Sequence, residues 1–361
     1  MLPLLVALCV LVPLIHLLLI LSWLALKHSS VDCTHDDLPE VSVLVAARNE
    51  EENIERCLNA LLQLNYPKHK LEILIGDDSS TDATYELVED IAQRHQHIKL
   101  IKIIPANGHL KGKANVLSQL AAKATGDIFF ITDADIAVNT EWVKRLLATV
   151  RHTGAGIVNG VTLVEDSSLQ NIDWLFSIGM IKVITEYSRP VTAIGNNMCI
   201  TREAYESVGG YEKLPFSITE DFELFKHVYN KGNSLVQLFD KQSLAFTVGQ
   251  KGLSQLLHQR KRWMHGAVQL PWFVVLILSL QAAFYGFIVL LLFLNPIAGS
   301  LIWGVKFILQ SVFIFQLARH VKSRIDPLKL LLYEVYAMII STLSGLFYLI
   351  PISIKWKGRK Y

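Results

Sequence analysis

Two long runs without a charged residue, one near each end, constrain the fold of this chain more than any other feature. Residues 2–26 and 270–294 contain no Asp, Glu, Lys or Arg, and each run is 25 residues long. A helix of about 20 apolar residues is enough to cross a bilayer. The chain is 52% hydrophobic, yet its middle carries many charges. The sequence therefore predicts an integral membrane protein with a water-exposed central domain.

The first run has two interpretations. A cleaved signal peptide would begin with basic residues and end at a small-residue cleavage site. No basic residue precedes the apolar run, since the chain starts with Met1, Leu2 and Pro3. No small-residue cleavage site is evident either. We therefore expect residues 1–27 to form an uncleaved transmembrane anchor.

Between residues 40 and 255, short β-branched runs alternate with amphipathic stretches. "VSVLVAA", "LEILIGDD", "IKLIKII" and "DIFFITDAD" have the character of buried strands, and helical patterns lie between them. This alternation predicts an α/β domain with a mostly parallel sheet covered on both faces. In such sheets ligands bind beyond the carboxyl ends of the strands, so chemically active residues are expected there.

The C-terminal part, residues 269–354, has the composition of a membrane region. Its uncharged run ends at the turn signal "NP", and two further apolar stretches carry Lys306 and Glu334. If the central domain is cytosolic, two spans return "RHVKSR" to the cytosol, as the positive-inside rule requires. A third span would export the basic tail, residues 355–361. Either one segment lies in the membrane interface or the rule is broken here.

Charge and cysteine content narrow the class of protein further. The net charge of +2 gives no reason to expect nucleic acid as a partner. Four cysteines without a CxxC pair suggest neither a disulfide framework nor a zinc site, and a reducing compartment fits.

Polar residues follow the first two expected strands. The first ends in "AARNEEEN", where Arg48 and Glu50 can meet a ligand at a helix start, although acids there also complement the helix dipole. The second ends in "GDDSSTD", where Asp77 and Asp78 stand before a turn and a helix N-cap. A cap needs one such residue. The second carboxylate is therefore available to a nucleotide base or ribose.

The glycine loop "NGHLKGKANVL", residues 107–117, does not match a P-loop. Only three residues separate Gly108 from Gly112, and Ala114 stands where that motif needs Ser or Thr. A flexible loop leading into a helix with Lys113 can still approach a nucleotide. The alternative is a plain connection between a strand and a helix.

Two further motifs place carboxylates where chemistry is possible. "TDAD" puts Asp133 and Asp135 at the end of the fourth strand, and a turn there can bring hard oxygen ligands to Mg²⁺ or Mn²⁺. "TED" puts Glu220 and Asp221 before a helix. They are either the acids of a capping motif or a general base that deprotonates an attacking hydroxyl group.

A basic and aromatic cluster, "HQRKRW", lies in the segment 256–268 at the edge of the membrane region. It contains Gln259, Arg262 and Trp263. A positive-inside anchor with an interfacial tryptophan is one interpretation. The other is a site where an arginine fork binds a phosphate group.

The order of these motifs resembles that of the family 2 inverting glycosyltransferases. The similar branch is membrane-anchored and includes cellulose, chitin, hyaluronan and poly-N-acetylglucosamine synthases and ceramide glucosyltransferases. "DAD" resembles the DxD motif of this family, "TED" its acidic base motif and "QRKRW" its QxxRW motif. The resemblance covers about residues 41–263. It implies a GT-A fold with N- and C-terminal transmembrane helices, and a nucleotide-sugar donor that is usually UDP-linked.

The resemblance also implies roles for single residues. Asp221 would be the base, with Glu220 beside it, and "GNNMCI", residues 195–200, would be an acceptor-side loop. Asp78, with Asp77 beside it, would contact the base, and Asp133 and Asp135 would hold the donor and a divalent metal. The candidate nucleotide-sugar site then comprises Arg48, Glu50, Asp77, Asp78, Lys113, Asp133, Gln259, Arg262 and Trp263.

The sequence thus predicts a membrane glycosyltransferase that moves a sugar from a UDP-type donor to a lipid-linked or polysaccharide acceptor with inversion. One alternative is a processive polysaccharide synthase subunit that needs accessory export subunits. Another is a catalytically silent scaffold that binds nucleotide-sugars in the membrane. The expected location is the plasma or inner membrane, with the catalytic domain in the cytosol.

Overall fold

The computed structural model describes residues 1–26, 38–106, 108–165, 168–357 and 359–360. Residue 27 of the expected anchor, residue 107 of the glycine loop and residues 358 and 361 of the tail lie outside the described residues. The described helices are α1 (Leu2–Ala25), α2 (Ile54–Leu62), α3 (Thr84–Arg94), α4 (Gly112–Lys123), α5 (Trp142–Thr153), α6 (Leu169–Tyr187), α7 (Arg202–Ser207), α8 (Gly210–Lys213), α9 (Glu220–Asn230), α10 (Leu253–Ala267), α11 (Trp272–Leu294), α12 (Pro296–His320) and α13 (Pro327–Leu349). The described strands are β1 (Val41–Ala47), β2 (Leu71–Asp77), β3 (Ile98–Lys102), β4 (Ile128–Asp133), β5 (Ile136–Val138), β6 (Ile157–Asn159), β7 (Val161–Val164), β8 (Asn197–Thr201), β9 (Leu235–Gln237), β10 (Leu244–Thr247), β11 (Lys355–Trp356) and β12 (Arg359–Lys360).

Two compact units make up the structure. The first comprises Met1–His28, Val164–Val191 and Gly249–Tyr361, and it contains α1, α6 and α10 to α13. The second comprises Ser29–Leu163 and Thr192–Val248, and it contains the main sheet and the other helices.

Seven strands of the second unit form one sheet in the order β3-β2-β1-β4-β8-β6-β9. The neighbours β3, β2, β1 and β4 run parallel, whereas β8 runs antiparallel to both β4 and β6. In this register Ala47 lies beside Asp77, and Ala46 lies beside Asp133. The predicted α/β class with a mostly parallel sheet is confirmed. The carboxyl ends of β2, β1 and β4 are next to one another, as a ligand site requires.

The central strands are apolar at almost every position because both faces of the sheet are covered. Val43, Ile73 and Phe130 are completely buried. Trp142 of α5 packs edge-on against Phe130, with the ring centroids 5.2 Å apart, and its indole nitrogen donates to Asn197 Oδ1 at 2.8 Å. Full burial of a large apolar side chain stabilises a fold by roughly 1.5–3 kcal/mol. This packing holds the strands in place, and with them the residues at their carboxyl ends.

Glu72 is an acid near the start of β2, whose other residues before Asp77 are apolar. Its carboxylate accepts hydrogen bonds from Ser42 Oγ at 2.6 Å, from the backbone N–H of Thr125 at 2.5 Å and from Lys99 Nζ at 3.0 Å. Burial alone would raise the pKa of this carboxyl group, but the hydrogen bonds outweigh it and hold the pKa of Glu72 at about 2. Glu72 thereby ties β1, β3 and the segment before β4 together at the amino ends of the strands.

β8 corrects one expectation about the sequence "GNNMCI". Residues 197–200 were expected in a loop, but they form a central strand between β4 and β6. The reason is that Met198, Cys199 and Ile200 are completely buried in the sheet. Only Gly195 and Asn196 of the motif stay in the loop before the strand.

Four described helices of the first unit are long and apolar enough to cross a membrane, namely α1, α11, α12 and α13. Asn295 separates α11 from α12, and its side chain caps α12 by accepting from the backbone N–H of Ala298 at 3.1 Å. The turn expected from "NP" is confirmed there. Apolar side chains such as Leu18, Phe293 and Leu301 are exposed, as expected for helices that face lipid.

The sequence did not predict α6, which belongs to the first unit although it falls within residues 40–255. Ser168 caps this helix by accepting from the backbone N–H of Asn171 at 3.3 Å. Gly179 lies so close to Leu317 of α12 that a β-carbon would be 2.3 Å from Leu317 Cδ1. The small residue lets the two helices approach each other, a common arrangement of membrane helices.

Candidate active site

Acidic residues from separate parts of the second unit meet around one lysine. Lys113 lies in the first turn of α4, and its side chain is only 9% exposed. Its ammonium nitrogen is 2.5 Å from Asp133 Oδ1 and 3.2 Å from Glu220 Oε1. It also donates to the carbonyl oxygen of Gly195 at 3.2 Å. Three residues singled out in the sequence, Lys113, Asp133 and Glu220, are therefore brought together.

The carboxylates keep Lys113 charged. Burial alone would lower the pKa of this lysine, but Asp133, Glu220 and Asp221 outweigh burial and raise the pKa above its ordinary value. Tyr211 is buried near the same carboxylates, and burial together with Glu220 raises its pKa as well. At neutral pH the cluster thus holds an ammonium group and a neutral phenol beside its carboxylates.

Two backbone N–H groups hold the carboxylate of Asp221. Oδ2 accepts from the N–H of Gly195 at 2.8 Å, and Oδ1 accepts from the N–H of Phe222 at 2.8 Å. Each carboxylate oxygen has a further lone pair, so Asp221 can still accept a proton from a hydroxyl group. The side chain of Thr219 makes no capping hydrogen bond to α9.

Gly195 fits beside Asp221 because it has no side chain. A β-carbon at this position would lie 2.6 Å from the β-carbon of Asp221, closer than any normal contact. Asn159 fixes the loop by donating to the carbonyl of Thr192 at 3.2 Å and accepting from the N–H of Ile194 at 3.3 Å. The backbone donor to Asp221 is therefore positioned by a buried side chain.

The end of β2 presents a buried acceptor without a partner. Asp77 is 3% exposed, and its Oδ2 accepts from the N–H of Ser80 at 3.3 Å. Its Oδ1 is buried and has no hydrogen-bond partner among the described residues. Because an unsatisfied buried acceptor is unfavourable, this atom suits a donor from a ligand, such as the N–H of a nucleotide base. Asp78, the next residue, is also buried.

Arg48 and Glu50 organise the turn that follows β2. The guanidinium of Arg48 donates to the carbonyl oxygen of Asp78 and, at 3.3 Å, to that of Ser79. The backbone N–H of Glu50 donates to Thr84 Oγ1 at 2.7 Å. These contacts join the ends of β1 and β2 and hold the carboxylates after β2 in place.

Asp133 ends β4, and Asp135 lies in the turn between β4 and β5. Arg56 of α2 fixes this turn by donating to the carbonyl oxygen of Asp135 at 2.5 Å and to that of Phe246 at 3.1 Å. Within the described ranges, no three His, Cys, Asp or Glu side chains gather as a metal site. Two carboxylates still fit Mg²⁺ or Mn²⁺, since these ions usually take one or two carboxylates and complete their shell with phosphate oxygens and water.

The basic cluster of the sequence lies on α10, in the first unit. Gln259, Arg262 and Trp263 share this helix with Arg260, which forms an ion pair with Asp173 of α6. The guanidinium of Arg260 also stacks over the ring of Trp263 at 4.6 Å from its centroid. Oε1 of Gln259 is buried and has no hydrogen-bond partner in the described part of the chain.

Family models identify the chain. The model of Glycosyl transferase family group 2 matches residues 128–350, which is more than half of the sequence. The model of Glycosyl transferase family 2 matches residues 42–209. The chain belongs to glycosyltransferase family 2. Both matches include the Asp133 motif.

Curated relatives of this family 2 glycosyltransferase include synthases named for a glucosyldiacylglycerol and for a poly-N-acetylglucosamine. The probable glycosyltransferase YdaM of Bacillus subtilis (strain 168) is 31% identical over 64% of this chain and 56% of its own length. A beta-monoglucosyldiacylglycerol synthase of Synechocystis is 25% identical over 64% of this chain and 48% of its own length. A poly-beta-1,6-N-acetyl-D-glucosamine synthase of Staphylococcus aureus is 27% identical over 65% of this chain and 56% of its own. The chain spans about half the length of the curated relatives it matches.

Among solved structures, a mannosyltransferase of Pyrobaculum calidifontis, PcManGT in complex with GDP-Man and Mn²⁺, has a similar fold. It is 19% identical, with a TM-score of 0.61 over 96% of this family 2 glycosyltransferase and 99% of that chain. At this identity the likeness concerns the fold alone. The predicted GT-A fold is confirmed.

Sequence reasoning missed the groups that position the site of this family 2 glycosyltransferase. Gly195 was noted only within a loop motif, although a glycine before two asparagines is a signal for a tight backbone approach. Arg56 and Tyr211 gave no local signal, because their roles depend on main-chain oxygens and carboxylates that are distant in sequence.

Proposed function

We propose that this chain is a membrane glycosyltransferase that transfers a sugar from a UDP-type nucleotide donor to a lipid-linked or polysaccharide acceptor, with inversion. The observation that supports this most is the cluster at the strand ends, where Lys113 lies between Asp133 and Glu220. Asp221 is held beside it by the backbone of Gly195. An ammonium group, oriented carboxylates and a buried acceptor without a partner among the described residues support a nucleotide-sugar site.

In the proposed donor site Asp77, rather than the Asp78 that the family resemblance implies, accepts a hydrogen bond from the base, and Asp78 contacts the nucleoside beside it. The buried Oδ1 of Asp77, which has no partner among the described residues, supports this assignment. Asp133 and Asp135 would hold a Mg²⁺ or Mn²⁺ ion, whose charge neutralises the diphosphate. PcManGT, which shares the fold, was solved with GDP-Man and Mn²⁺ bound, and this supports a nucleotide-sugar donor and a divalent ion here.

The proposed reaction is a single displacement at the anomeric carbon. Asp221 takes the proton of the acceptor hydroxyl group while the acceptor oxygen forms a bond to the anomeric carbon. The bond between that carbon and the phosphate oxygen breaks with its electron pair, and the nucleoside diphosphate leaves from the opposite face. An α-linked donor therefore gives a β-glycoside. Glu220 stays beside Lys113 and balances its charge.

Negative charge grows on the departing diphosphate, so cations stabilise the transition state. Lys113 supplies one ammonium group in the donor site. We assign Arg262 of α10 to the diphosphate, with Gln259 as a hydrogen-bonding neighbour, because a guanidinium fork matches phosphate oxygens. Trp263 is assigned to the acceptor, as a flat apolar wall.

Of the two proposed kinds of acceptor, lipid and polysaccharide, we favour the lipid. The four candidate spans of the described chain support a location in a membrane, and a relative is named for glycolipid synthesis. Another relative is named for poly-N-acetylglucosamine synthesis. The second candidate function is therefore a polysaccharide synthase that works with accessory subunits. Labelled product, sized before and after lipid extraction, separates one transfer from polymer synthesis.

The proposed organisation follows from these assignments. Residues 1–27 anchor the chain, and 40–255 carry the catalytic domain apart from Val164–Val191, which belongs to the first unit. Residues 256–268 form the interfacial segment, 269–354 are the membrane region, and 355–361 are the basic tail. The catalytic domain would face the cytosol of the plasma or inner membrane, where nucleotide-sugars are made.

Asp221→Asn tests the base. Purified enzyme in detergent is supplied with UDP-sugars, and GDP-mannose as a further donor, together with membrane lipids, and nucleoside diphosphate release is measured. General base catalysis contributes about 10²–10⁴-fold, so we expect a loss of at least about 100-fold at unchanged donor affinity. Asp90→Asn is the matched control, since Asp90 lies on the surface of α3 with its side chain 67% exposed.

Two outcomes would contradict the proposal. Transfer by Asp221→Asn at the wild-type rate would remove the base assignment. Donor binding by the wild type without transfer to any lipid or glycan would favour a silent scaffold instead.

A further inference from the structure

The first unit contains a cavity of about 300 Å³ among its helices. Residues of α1, α6, α10, α11, α12 and α13 line it, and much of the wall is apolar, including Val12, Phe176, Ala282 and Ile340. A cavity near the lower end of the usual size range for ligand sites, roughly 300–1,000 Å³, holds a small ligand or the head of a larger one. Since four of the surrounding helices, α1, α11, α12 and α13, are candidate spans, an amphiphile of the bilayer is the natural occupant.

Several buried polar atoms that line this cavity have no hydrogen-bond partner among the described residues, namely both ring nitrogens of His16, the hydroxyl groups of Ser344 and Tyr336, and Nε of Arg260. His16 of α1 is 1% exposed, and neither of its ring nitrogens has a hydrogen-bond partner among the described residues. Ser344 of α13 is 8% exposed, and its hydroxyl group likewise has none there. Buried polar groups are rarely left unsatisfied. A neutral imidazole and a hydroxyl group each offer one donor and at least one acceptor, which together match the hydroxyl groups of a ligand.

The cations that line the cavity already have counter-charges. Lys306 lies 2.7 Å from both carboxylate oxygens of Glu334. Arg260 pairs with Asp173, which also accepts from the hydroxyl group of Tyr333 at 3.0 Å. Nε of Arg260 has no hydrogen-bond partner among the described residues, but a phosphate group there would add negative charge to an ion pair that is already balanced. An uncompensated buried charge is strongly unfavourable. The cavity therefore fits an uncharged head and disfavours a phosphorylated one.

We propose that this cavity binds the uncharged, hydroxyl-bearing head of a membrane lipid of the diacylglycerol type, and that this lipid is the sugar acceptor. His16 and Ser344 hydrogen-bond the head, and the apolar wall contacts the first part of the acyl chains. Trp263 also lines the cavity, where its ring meets Trp174 edge-on with the centroids 5.1 Å apart. The acceptor role rests on the proposed function, whereas lipid binding rests on the cavity itself.

The test measures lipid binding and transfer separately on the full chain in detergent. Binding is measured with radiolabelled dioleoylglycerol and with dioleoyl phosphatidic acid, which has the same chains and a phosphate head. His16→Leu removes the ring nitrogens, His16→Gln keeps a donor and an acceptor, and Ser344→Ala removes the hydroxyl group. Leu18→Ala is the control, because Leu18 lies on the same helix but is 61% exposed.

We expect dioleoylglycerol to bind at least tenfold more tightly than phosphatidic acid. His16→Leu should weaken dioleoylglycerol binding at least tenfold and raise the acceptor KM to match, with donor affinity unchanged. His16→Gln should recover most of the binding, and Ser344→Ala should show a smaller loss.

Equal binding of the two lipids, or wild-type dioleoylglycerol binding by His16→Leu, would overturn the inference. Failure of the proposed function has a different signature. In that case the wild type transfers no sugar to any acceptor, while dioleoylglycerol binding still depends on His16. The lipid site then stands, and its acceptor role is withdrawn.

Discussion

Removing the ammonium group from the acidic cluster tests the electrostatics of the candidate site directly. Lys113→Met keeps an unbranched side chain but takes away the charge that lies between Asp133 and Glu220. The side chain of Glu220 is 11% exposed and that of Asp133 is 30% exposed, so water reaches mainly Asp133. The two carboxylates are then left facing each other in a partly buried place.

The distances set the size of the effect. The two carboxylate oxygens lie at most about 6 Å apart, because both contact the same nitrogen atom at 2.5 and 3.2 Å. At an effective dielectric constant of about 20, two unit charges at this separation repel by about 3 kcal/mol. Breaking a buried ion pair typically costs about 3–5 kcal/mol. We therefore expect the free energy of unfolding of the second unit to fall by about 3 kcal/mol, which corresponds to a Tm about 6–12 °C lower.

The pH dependence follows from the direction of the pKa shift of Lys113. Because its folded pKa is raised above the ordinary 10.5, its stabilising contribution is fully present below that pH. It is lost only as the pH rises through the folded value. The difference in Tm between wild type and variant should therefore persist up to pH 10.5 and shrink only at higher pH.

Thermal unfolding in detergent, followed by tryptophan fluorescence, measures these differences without any substrate. Glu220→Gln added to Lys113→Met should recover much of the loss, because only one carboxylate of the pair remains. Lys123→Met in the last turn of α4 is the matched control, since Lys123 is exposed. Equal stability of Lys113→Met and wild type at pH 8, or no recovery in the double variant, would refute this reasoning.

Three further predictions concern the same unit. Gly195→Ala should lower transfer at least tenfold at unchanged donor affinity, because a β-carbon 2.6 Å from that of Asp221 displaces the carboxylate; an unchanged rate would contradict the steric argument. Glu72→Gln should lower the free energy of unfolding at pH 7 by up to about 3 kcal/mol. The folded pKa of Glu72 is held at about 2 against an ordinary 4.5. The difference in the free energy of unfolding, measured by denaturant titration, should therefore disappear as the pH falls from about 4.5 towards 2. A difference that does not depend on pH would contradict this prediction. Chelation should abolish transfer until Mg²⁺ or Mn²⁺ is restored, and Asp135→Asn should raise the ion concentration for half-maximal rate at least tenfold; full activity in chelator would exclude the metal assignment.

The strands that carry the site could be predicted from the sequence because they are buried on both faces. Val41–Ala47 and Leu71–Asp77 are almost wholly apolar, and each ends where polar residues begin. A strand boundary of this kind follows from burial alone. The spatial neighbourhood of Asp77 and Asp133 follows in turn, because β1 lies between the two strands that end in these residues.

The groups that position the site could not be predicted in this way. The backbone of Gly195 reaches Asp221 because β8 pairs with β4, and pairing between strands far apart in sequence leaves no periodic signal. The helix α6 was missed for a related reason. It packs against other helices of the first unit, so apolar residues occur around much of its surface and the one-sided pattern of an amphipathic helix is weak.

The membrane region shows which contacts between spans can be predicted from charged residues alone. Lys306 and Glu334 appear in the sequence as isolated charges in separate spans, and a lysine at the centre of a span costs about 2.5–3.5 kcal/mol to insert. Opposite charges in neighbouring spans are therefore expected to pair, as they do at 2.7 Å. His16 carries no such signal, because a neutral imidazole needs no counter-charge and its unsatisfied nitrogens are visible only once the neighbouring helices are in place. The proposed preference of the cavity for an uncharged lipid head thus rests on the ion pairs of Arg260 and Lys306, which balance both charges, and on the unpaired nitrogens of His16.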